Sequence, residues 1–333
     1  MRNMVKIGII GTGHMGSYHV SSCLSIKDVD LVGISDLDEK KLKKIKSSKV
    51  KKTKDFREWL PKVDGVIIAV PTNYHYEVSK ECLEKGKHVL VEKPLTKNFS
   101  QAKELFEIAA KNNVALHVGH VERFNGAVQE LKNIIDKPYF IEAHRLGPFV
   151  PRVQSDSVVL DLMIHDLDIV LDLVDSKVES VNFIGNKIKS NLSDVAVVQL
   201  KFENGVCANL VSSRISHVKK RSMSVHQKNS FIKLDFTTQS ISLHHNPSDS
   251  VKVGRNQLEY RQGGTVERLF VYKDNPLTLE IKNFVKSIKT GKNKIDSKKD
   301  LEALRLALEI ESKIGIEYGC NNSWNRKYSS ACM

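Results

Sequence analysis

Short apolar runs alternate with helix-like segments through the first third of the chain. Residues 6–10 (KIGII), 31–35 (LVGIS), 64–70 (DGVIIAV), 88–91 (HVLV) and 115–119 (ALHVG) are brief and almost wholly apolar. Such runs suit strands buried on both faces, as in a parallel sheet. The segments between them carry helical spacing, up to about residue 85 after the third run and over 100–111 after the fourth. Strands alternating with helices predict a doubly wound parallel sheet.

The texture then changes. Residues 161–173 (DLMIHDLDIVLDL) form one strongly apolar helix-like stretch. Residues 178–244 show alternating runs, clearest at 195–202 (VAVVQLKF) and 206–213 (VCANLVSS). Asn204-Gly205 between those two is a hairpin turn signal. Residues 246–266 lack periodicity and are expected to be loop. Helices are predicted over 277–290 and 297–315, and 321–333 reads as a tail. The pattern predicts a domain at 1–121, a second domain at 122–320 and the tail 321–333.

The first strand runs into Gly11-x-Gly13-x-x-Gly16, a helical segment and a second strand follow, and Asp36 stands 20 residues after Gly16. Gly11 permits the tight turn, Gly13 lets a pyrophosphate approach the backbone, and Gly16 lets the helix pack closely on its strand. The start of that helix offers N–H groups to phosphates, and a terminal acid accepts both ribose hydroxyls. The fold class is therefore α/β: an N-terminal Rossmann doubly wound parallel sheet, plus a C-terminal α+β domain with a largely antiparallel open sheet. Asp36 favours NAD over NADP, because a carboxylate repels a 2′-phosphate; Lys40 and Lys41 just beyond it soften that preference. Ligands gather at the carboxyl ends of such strands. The cofactor-binding candidates are thus Gly11, Thr12, Gly13, His14, Met15, Gly16, Asp36, Pro71, Thr72, Asn73, His75, Glu92 and Lys93.

The net charge of +13 invites a nucleic-acid reading, but residues 40–54 alone hold nine lysines. That run has no interleaved aromatics and fits no nucleic-acid-binding module. It reads as a solvated helix face and loop, with some steering of an anionic substrate as the alternative. No apolar run approaches the ~18 residues a membrane span needs, and the chain enters its first strand directly, so no signal peptide is expected. Cysteines 23, 82, 207, 320 and 332 show no CxxC spacing. They predict inert thiols in a reducing compartment, hence the cytoplasm, and no metal site.

Three residues stand out for chemistry: Lys93 after the fourth strand, and Asp161 with His165 on the apolar helix. Four residues apart, Asp161 and His165 share a face. A charged acid and an imidazole within so apolar a helix are costly unless paired or used. Taken alone, each also reads as an ordinary structural residue.

Read together, they resemble the Gfo/Idh/MocA family of nicotinamide-dependent oxidoreductases, which act mainly on sugars and cyclitols. The resemblance covers nearly all of the chain and rests on GTGHMG at 11–16, Asp36, AVPTNYH at 69–75, EKP at 92–94 and DLMIH at 161–165. It implies a catalytic lysine at Lys93, an Asp-x-x-x-His pair at Asp161 and His165, and a cis peptide before Pro94. In that scheme His165 is the base and also touches substrate, Lys93 stabilises the developing alkoxide, and Asp161 orients or charge-balances; Lys93 and His165 are able to exchange roles. Association through the second domain's sheet is also implied, as a homodimer or homotetramer. A glycine-rich approach to the Asp-x-x-x-His segment is missing here, with 156–160 (DSVVL) in its place.

Residues 117–125 (HVGHVERFN) and 145–168 (RLGPFVPRVQSDSVVLDLMIHDLD) resemble the branch that oxidises the 3-hydroxyl of UDP-N-acetylglucosamine, although Gly126 stands where that branch commonly has proline. The branch implies a small-molecule nucleotide-sugar substrate, a 3-keto product taken up by an aminotransferase, and a route to diamino-sugar lipid A. A diphosphate calls for cations, and Arg123, Arg145, Arg152 and Arg214 are the candidates, with a surface ion pair as the plain reading of each. Another sugar or an inositol-like cyclitol is the alternative substrate, and a non-catalytic nucleotide-binding regulator the distant alternative.

Overall fold

The computed structural model describes residues 4–150, 156–245, 248–253, 258–291 and 297–320. The chain divides into two compact units, Met1–Phe124 with Asp274–Leu308, and Asn125–Lys273 with Glu309–Met333.

The first unit contains β1 (Val5–Ile10), α1 (His14–Ser25), β2 (Val29–Ser35), α2 (Glu39–Lys44), β3 (Lys51–Thr53), β4 (Gly65–Ile68), α3 (His75–Glu84), β5 (His88–Glu92), α4 (Phe99–Lys111) and β6 (Leu116–Gly119). Its sheet has the order β3-β2-β1-β4-β5-β6, and every neighbouring pair is parallel. The order reverses between β1 and β4, the place where a doubly wound sheet opens a crevice for ligands. The apolar runs fill the core as expected: Ile7, Ile9, Ile34, Ile67 and Leu90 are buried. Gly8 and Gly33 pair across β1 and β2. The buried Trp59 ring lies over both, and a Cβ at Gly8 would come within 1.9 Å of it. The two glycines therefore make the seat for one large ring.

The second unit contains α5 (Gly126–Ile134), β7 (Pro138–Leu146), a π turn (Val159–Met163), α6 (Ile164–Leu173), β8 (Val178–Asn186), β9 (Val195–Phe202), β10 (Cys207–Ser213), β11 (Lys220–Gln227), β12 (Ser230–Asp235), β13 (Ser240–His245), β14 (Ser248–Val253), β15 (Leu258–Gly263) and β16 (Val266–Arg268). The large sheet runs β16-β13-β12-β11-β7-β10-β9-β8. It is antiparallel apart from the β7–β10 pair. The predicted hairpin forms between β9 and β10, with Gly205 at φ 86. Alternation sets the faces: Ala196, Val198, Leu200 and Phe202 are buried, while Gln199 and Lys201 are exposed. On the other face Phe140, His226, Phe231 and His244 form a ladder across four strands, with ring centroids 5.3, 4.8 and 5.5 Å apart.

The loop expected at 246–266 is not all loop. β14 pairs antiparallel with β15 as a separate two-stranded ribbon, and Val266 opens β16. Both ribbon segments (SDSVKV and LEYRQG) mix polar and apolar residues without a sustained period, which is why the pattern does not betray them. The tail 321–333 lies outside the described residues.

Two closing helices follow, α7 (Pro276–Thr290) and α8 (Ser297–Cys320). The Asn275 side chain caps α7 by accepting from the N–H groups of Leu277 and Thr278, Pro276 stands at the first turn, and Gly291 ends it in the left-handed region. Ile281, Phe284 and Val285 of α7 join the core built on β1 and β2. Residues 274–308, which the sequence pattern groups with the second domain, thus pack with the first unit.

Candidate active site

The glycine-rich turn in the first unit is shaped for a dinucleotide. Gly11 sits at φ 90, and a Cβ there would lie 2.6 Å from the Ala69 carbonyl oxygen. A Cβ at Gly16 would come within 2.0 Å of the Gly11 carbonyl oxygen, so the start of α1 and the turn touch backbone to backbone. Above Gly13 the space is open, and Gly13 caps α1 without a side-chain hydrogen bond. An uncapped helix start next to open space suits a diphosphate.

Asp36 closes the turn from the end of β2. Its Oδ2 accepts from the Thr12 N–H at 2.8 Å and the Thr12 hydroxyl at 3.2 Å, and its Oδ1 accepts from the Asp38 N–H at 2.9 Å. Lys41 Nζ stands 3.6 Å from Oδ1. Burial pushes this carboxyl up, but the backbone bonds from Asp38 and Thr12, the Lys41 charge and the Thr12 hydroxyl outweigh it and hold it below the usual range. The acid is therefore ionised and aimed at the glycine turn. Of the other candidates in this turn, His14 is exposed, whereas Met15 packs partly into the core.

The end of β5 carries Lys93, half-buried, before the cis bond to Pro94. Its neighbours are tied down. His19 of α1 donates from Nε2 to Glu92 Oε1 at 2.6 Å, with His19 1% and Glu92 9% exposed. His75, also 1% exposed, lies 2.8 Å from the Pro94 carbonyl oxygen through Nδ1 and 2.9 Å from that of Val70 through Nε2. The Glu92 and His75 side chains, both offered as cofactor contacts, are thus buried on protein partners. Pro71 and Asn73 are exposed at the end of the neighbouring strand, while Thr72 is buried.

Beneath this strand end lies Glu280 of α7, a residue the sequence reading passes over. It is 1% exposed, and among the described residues neither carboxylate oxygen has a hydrogen-bond partner. Burial first, and then the charge of Glu92, push its pKa well above the carboxylate range, against the pull of Arg123. The folded protein keeps a proton here that the unfolded chain loses above about pH 4.3. Stability accordingly falls as pH rises from there towards the raised pKa, by about 1.4 kcal/mol per unit. Glu280→Gln removes that cost while keeping the shape. Thermal melts should show it raising Tm at pH 8 by clearly more than at pH 5; equal shifts at both would mean Glu280 is not held neutral.

In the second unit, Asp161 lies in the π turn and His165 in the first turn of α6. Both are half-buried, while Met163, Ile164 and Asp166 to Val170 are buried. The helix expected from 161 thus begins as a wider turn, a feature that recurs at functional sites.

The arginines offered for a diphosphate are corrected more sharply. Arg145, 2% exposed, holds Asp166 through Nε at 3.0 and 3.2 Å and Nη2 at 2.8 Å. Arg214, 4% exposed, donates to Asp194 Oδ1, the Asp156 carbonyl and the Ser190 hydroxyl at 2.8, 2.6 and 2.7 Å. Burial opposes ionisation of Asp194, but Arg214 and the N–H groups of Ile188 and Lys189 hold its pKa far below the carboxylate range. Arg123, in the first unit, pairs with the buried Asp300 at 2.6 Å. All three guanidinium groups are already engaged by the protein, and Arg152 lies outside the described residues.

An uncapped helix start beside a ribose-directed carboxylate makes a dinucleotide site, and with Lys93 on the same sheet the class defined is the nicotinamide-dependent oxidoreductases. The chain belongs to the GFO/IDH/MocA family. Residues 5–120 match the oxidoreductase family with the NAD-binding Rossmann fold, and residues 126–232 match the GFO/IDH/MocA C-terminal domain. It is 29% identical to UDP-N-acetylglucosamine 3-dehydrogenase of Acidithiobacillus ferrooxidans over 286 residues, 85% of this chain and 88% of that one. It is 31% identical to myo-inositol 2-dehydrogenase of Thermotoga maritima over 229 residues, 63% and 69% of the two chains. The solved structure of the Acidithiobacillus enzyme matches with a TM-score of 0.84 at 27% identity, covering 94% of this chain and 98% of that one.

Proposed function

We propose that this oxidoreductase oxidises the 3-hydroxyl of UDP-N-acetylglucosamine to a 3-keto nucleotide sugar, with NAD as the acceptor. The observation that carries the reading is the likeness to the Acidithiobacillus 3-dehydrogenase along 85% of the chain. The engaged arginines lend it no support. A cyclitol or free-sugar substrate is the second reading, favoured by the 31% identity to the Thermotoga inositol enzyme. The test is NAD reduction against UDP-N-acetylglucosamine, N-acetylglucosamine, glucose and myo-inositol, with an aminotransferase and amino donor present to remove a keto product. Turnover of the UDP-sugar with N-acetylglucosamine nearly inert supports the proposal, because binding energy from the UDP moiety serves to position the sugar. Equal or faster turnover of myo-inositol or a free sugar overturns it.

Bound NAD supplies the hydride acceptor. The chain's own residues do the rest: Lys93 hydrogen-bonds the reacting oxygen and stabilises its developing negative charge, His165 takes the hydroxyl proton, and Asp161 orients the imidazole. The choice of NAD rests on the ionised Asp36. Asp36→Ser should raise the ratio of NADP to NAD efficiency by about tenfold or more, the scale of one charged hydrogen-bonding group. A wild type that already prefers NADP would overturn this assignment.

We place the enzyme in the cytoplasm, in keeping with the buried free thiols Cys23 and Cys82. Among the described residues no helix is long and apolar enough to cross a membrane. We also expect a homodimer or homotetramer formed through the outer face of the large sheet, with alternate apolar residues of 195–213 divided between core and interface. Light scattering at micromolar concentration tests this, and a monomer there counts against it. A pathway aminotransferase consuming the keto product, on a route to diamino-sugar lipid A or a related glycan, completes the proposal.

A further inference from the structure

The residues on either side of Lys93 are each held by a buried histidine of the same unit. His19 donates to Glu92 on one side. Its Nδ1 meets no hydrogen-bond partner among the described residues, so the ring carries its proton on Nε2, facing the carboxylate. On the other side, His75 faces two backbone carbonyls, of Pro94 and Val70. Carbonyls only accept, so a ring nitrogen that carries a proton donates to the carbonyl it faces. Glu92 is confined further by Gly119, its register partner on β6: a Cβ there would lie 3.2 Å from Glu92 Oε2.

A buried histidine–carboxylate pair is a poor way to gain stability, since apolar residues of similar volume do as well or better. Here the pair adjoins the one lysine at the carboxyl end of β5. Burial pushes the Glu92 carboxyl up, and the bond and charge of His19, then the charges of Lys93 and His75, bring it below its usual range. Glu92 is thus a fixed negative charge next to the lysine.

We propose that His19 is a positioning residue for the oxidation: it fixes Glu92, and Glu92 together with the His75-bound Pro94 carbonyl fixes the peptide that aims Lys93. This rests on the reading of Lys93 as the group that touches the reacting oxygen. Without His19, Glu92 is a buried acid lacking its donor, which either takes a proton or turns away, and the lysine loses one of its two anchors. Misplacement by about 1 Å costs on the order of 10²-fold in rate.

The test uses His19→Leu, His19→Gln, Glu92→Gln and the double variant His19→Leu/Glu92→Gln, assayed with NAD and whichever of UDP-N-acetylglucosamine or myo-inositol the wild type oxidises. His19→Leu should lower kcat by about tenfold or more, while NAD affinity from fluorescence titration stays within about twofold. His19→Gln, which still donates to Glu92, should recover most of the loss. The double variant should be no slower than the worse single one, because both remove the same link. In the protein without cofactor or substrate, acetylation of Lys93 by acetic anhydride, followed by mass spectrometry, should change several-fold in rate in His19→Leu and return in His19→Gln.

A folded His19→Leu with wild-type kcat and wild-type Lys93 acetylation overturns the proposal. So do parallel losses of kcat and NAD affinity that glutamine does not restore, which mark a merely structural histidine. If His19→Leu fails to fold, Glu92→Gln decides: slow turnover with intact NAD binding supports the proposal, and full activity overturns it. Lys93→Ala assayed alongside separates the two ideas. An active Lys93→Ala removes the role of Lys93 itself, whereas an inactive Lys93→Ala beside a fully active His19→Leu removes only the positioning role.

Discussion

Lys93→Ala should lower turnover by about 10²–10³-fold, the cost of removing one donor that stabilises a developing oxyanion, and leave the fold and NAD affinity nearly intact. Lys93 is half-buried at the end of β5, outside the apolar core of the sheet, so its loss opens no large cavity. The groups that fit a dinucleotide, the glycine turn and Asp36, stand on β1, α1 and β2 and do not rely on it. Arginine should not rescue the activity. Its planar, longer fork does not match the position and direction of a compact ammonium. The checks are steady-state kinetics, fluorescence titration with NAD and a melt of each variant. A Lys93→Ala enzyme within tenfold of wild type would reassign the chemistry to another residue.

The sequence disclosed most where one physical requirement acts locally. A continuous apolar run means burial on both faces, and β4 (GVII) is buried at every position. Asn204-Gly205 requires a tight turn between two alternating runs, and β9 and β10 pair across it. The glycine turn and Asp36 are legible because backbone approach to a phosphate and a carboxylate for a ribose each demand a residue type at a set spacing. What stayed hidden depends on partners distant in the chain. His19 is a lone histidine in a helix until folding brings it to Glu92, 73 residues away. Glu280 draws no notice in the sequence, because only the return of α7 to the first unit buries it. Arg145 and Arg214 carry the same charge whether they meet a ligand or a carboxylate, and only the packing of Asp166 and Asp194 decides between the two.

That decision has a large measurable consequence. Asp166→Ala should destabilise the protein by about 3–5 kcal/mol, the usual cost of leaving a buried charge without its partner. Arg145 and Asp166 are both buried, and the guanidinium also stacks 4.9 Å from the centre of the Phe236 ring, so water cannot readily replace the lost carboxylate. For a unit of this size the melting temperature should fall by about 2–4 °C per kcal/mol. Arg145→Ala should be similarly damaging, since it takes the buried guanidinium away from Asp166. The combined Arg145→Met/Asp166→Leu replacement should be far milder than either alanine variant, because it removes the desolvation cost of both charges together. The same double variant tests the chemistry. If Arg145 serves the fold through Asp166, the protein keeps its KM for the proposed substrate, UDP-N-acetylglucosamine, while losing the ion pair. A KM raised tenfold or more, with stability retained, would return Arg145 to the diphosphate of the proposed substrate and overturn its assignment as a structural cation.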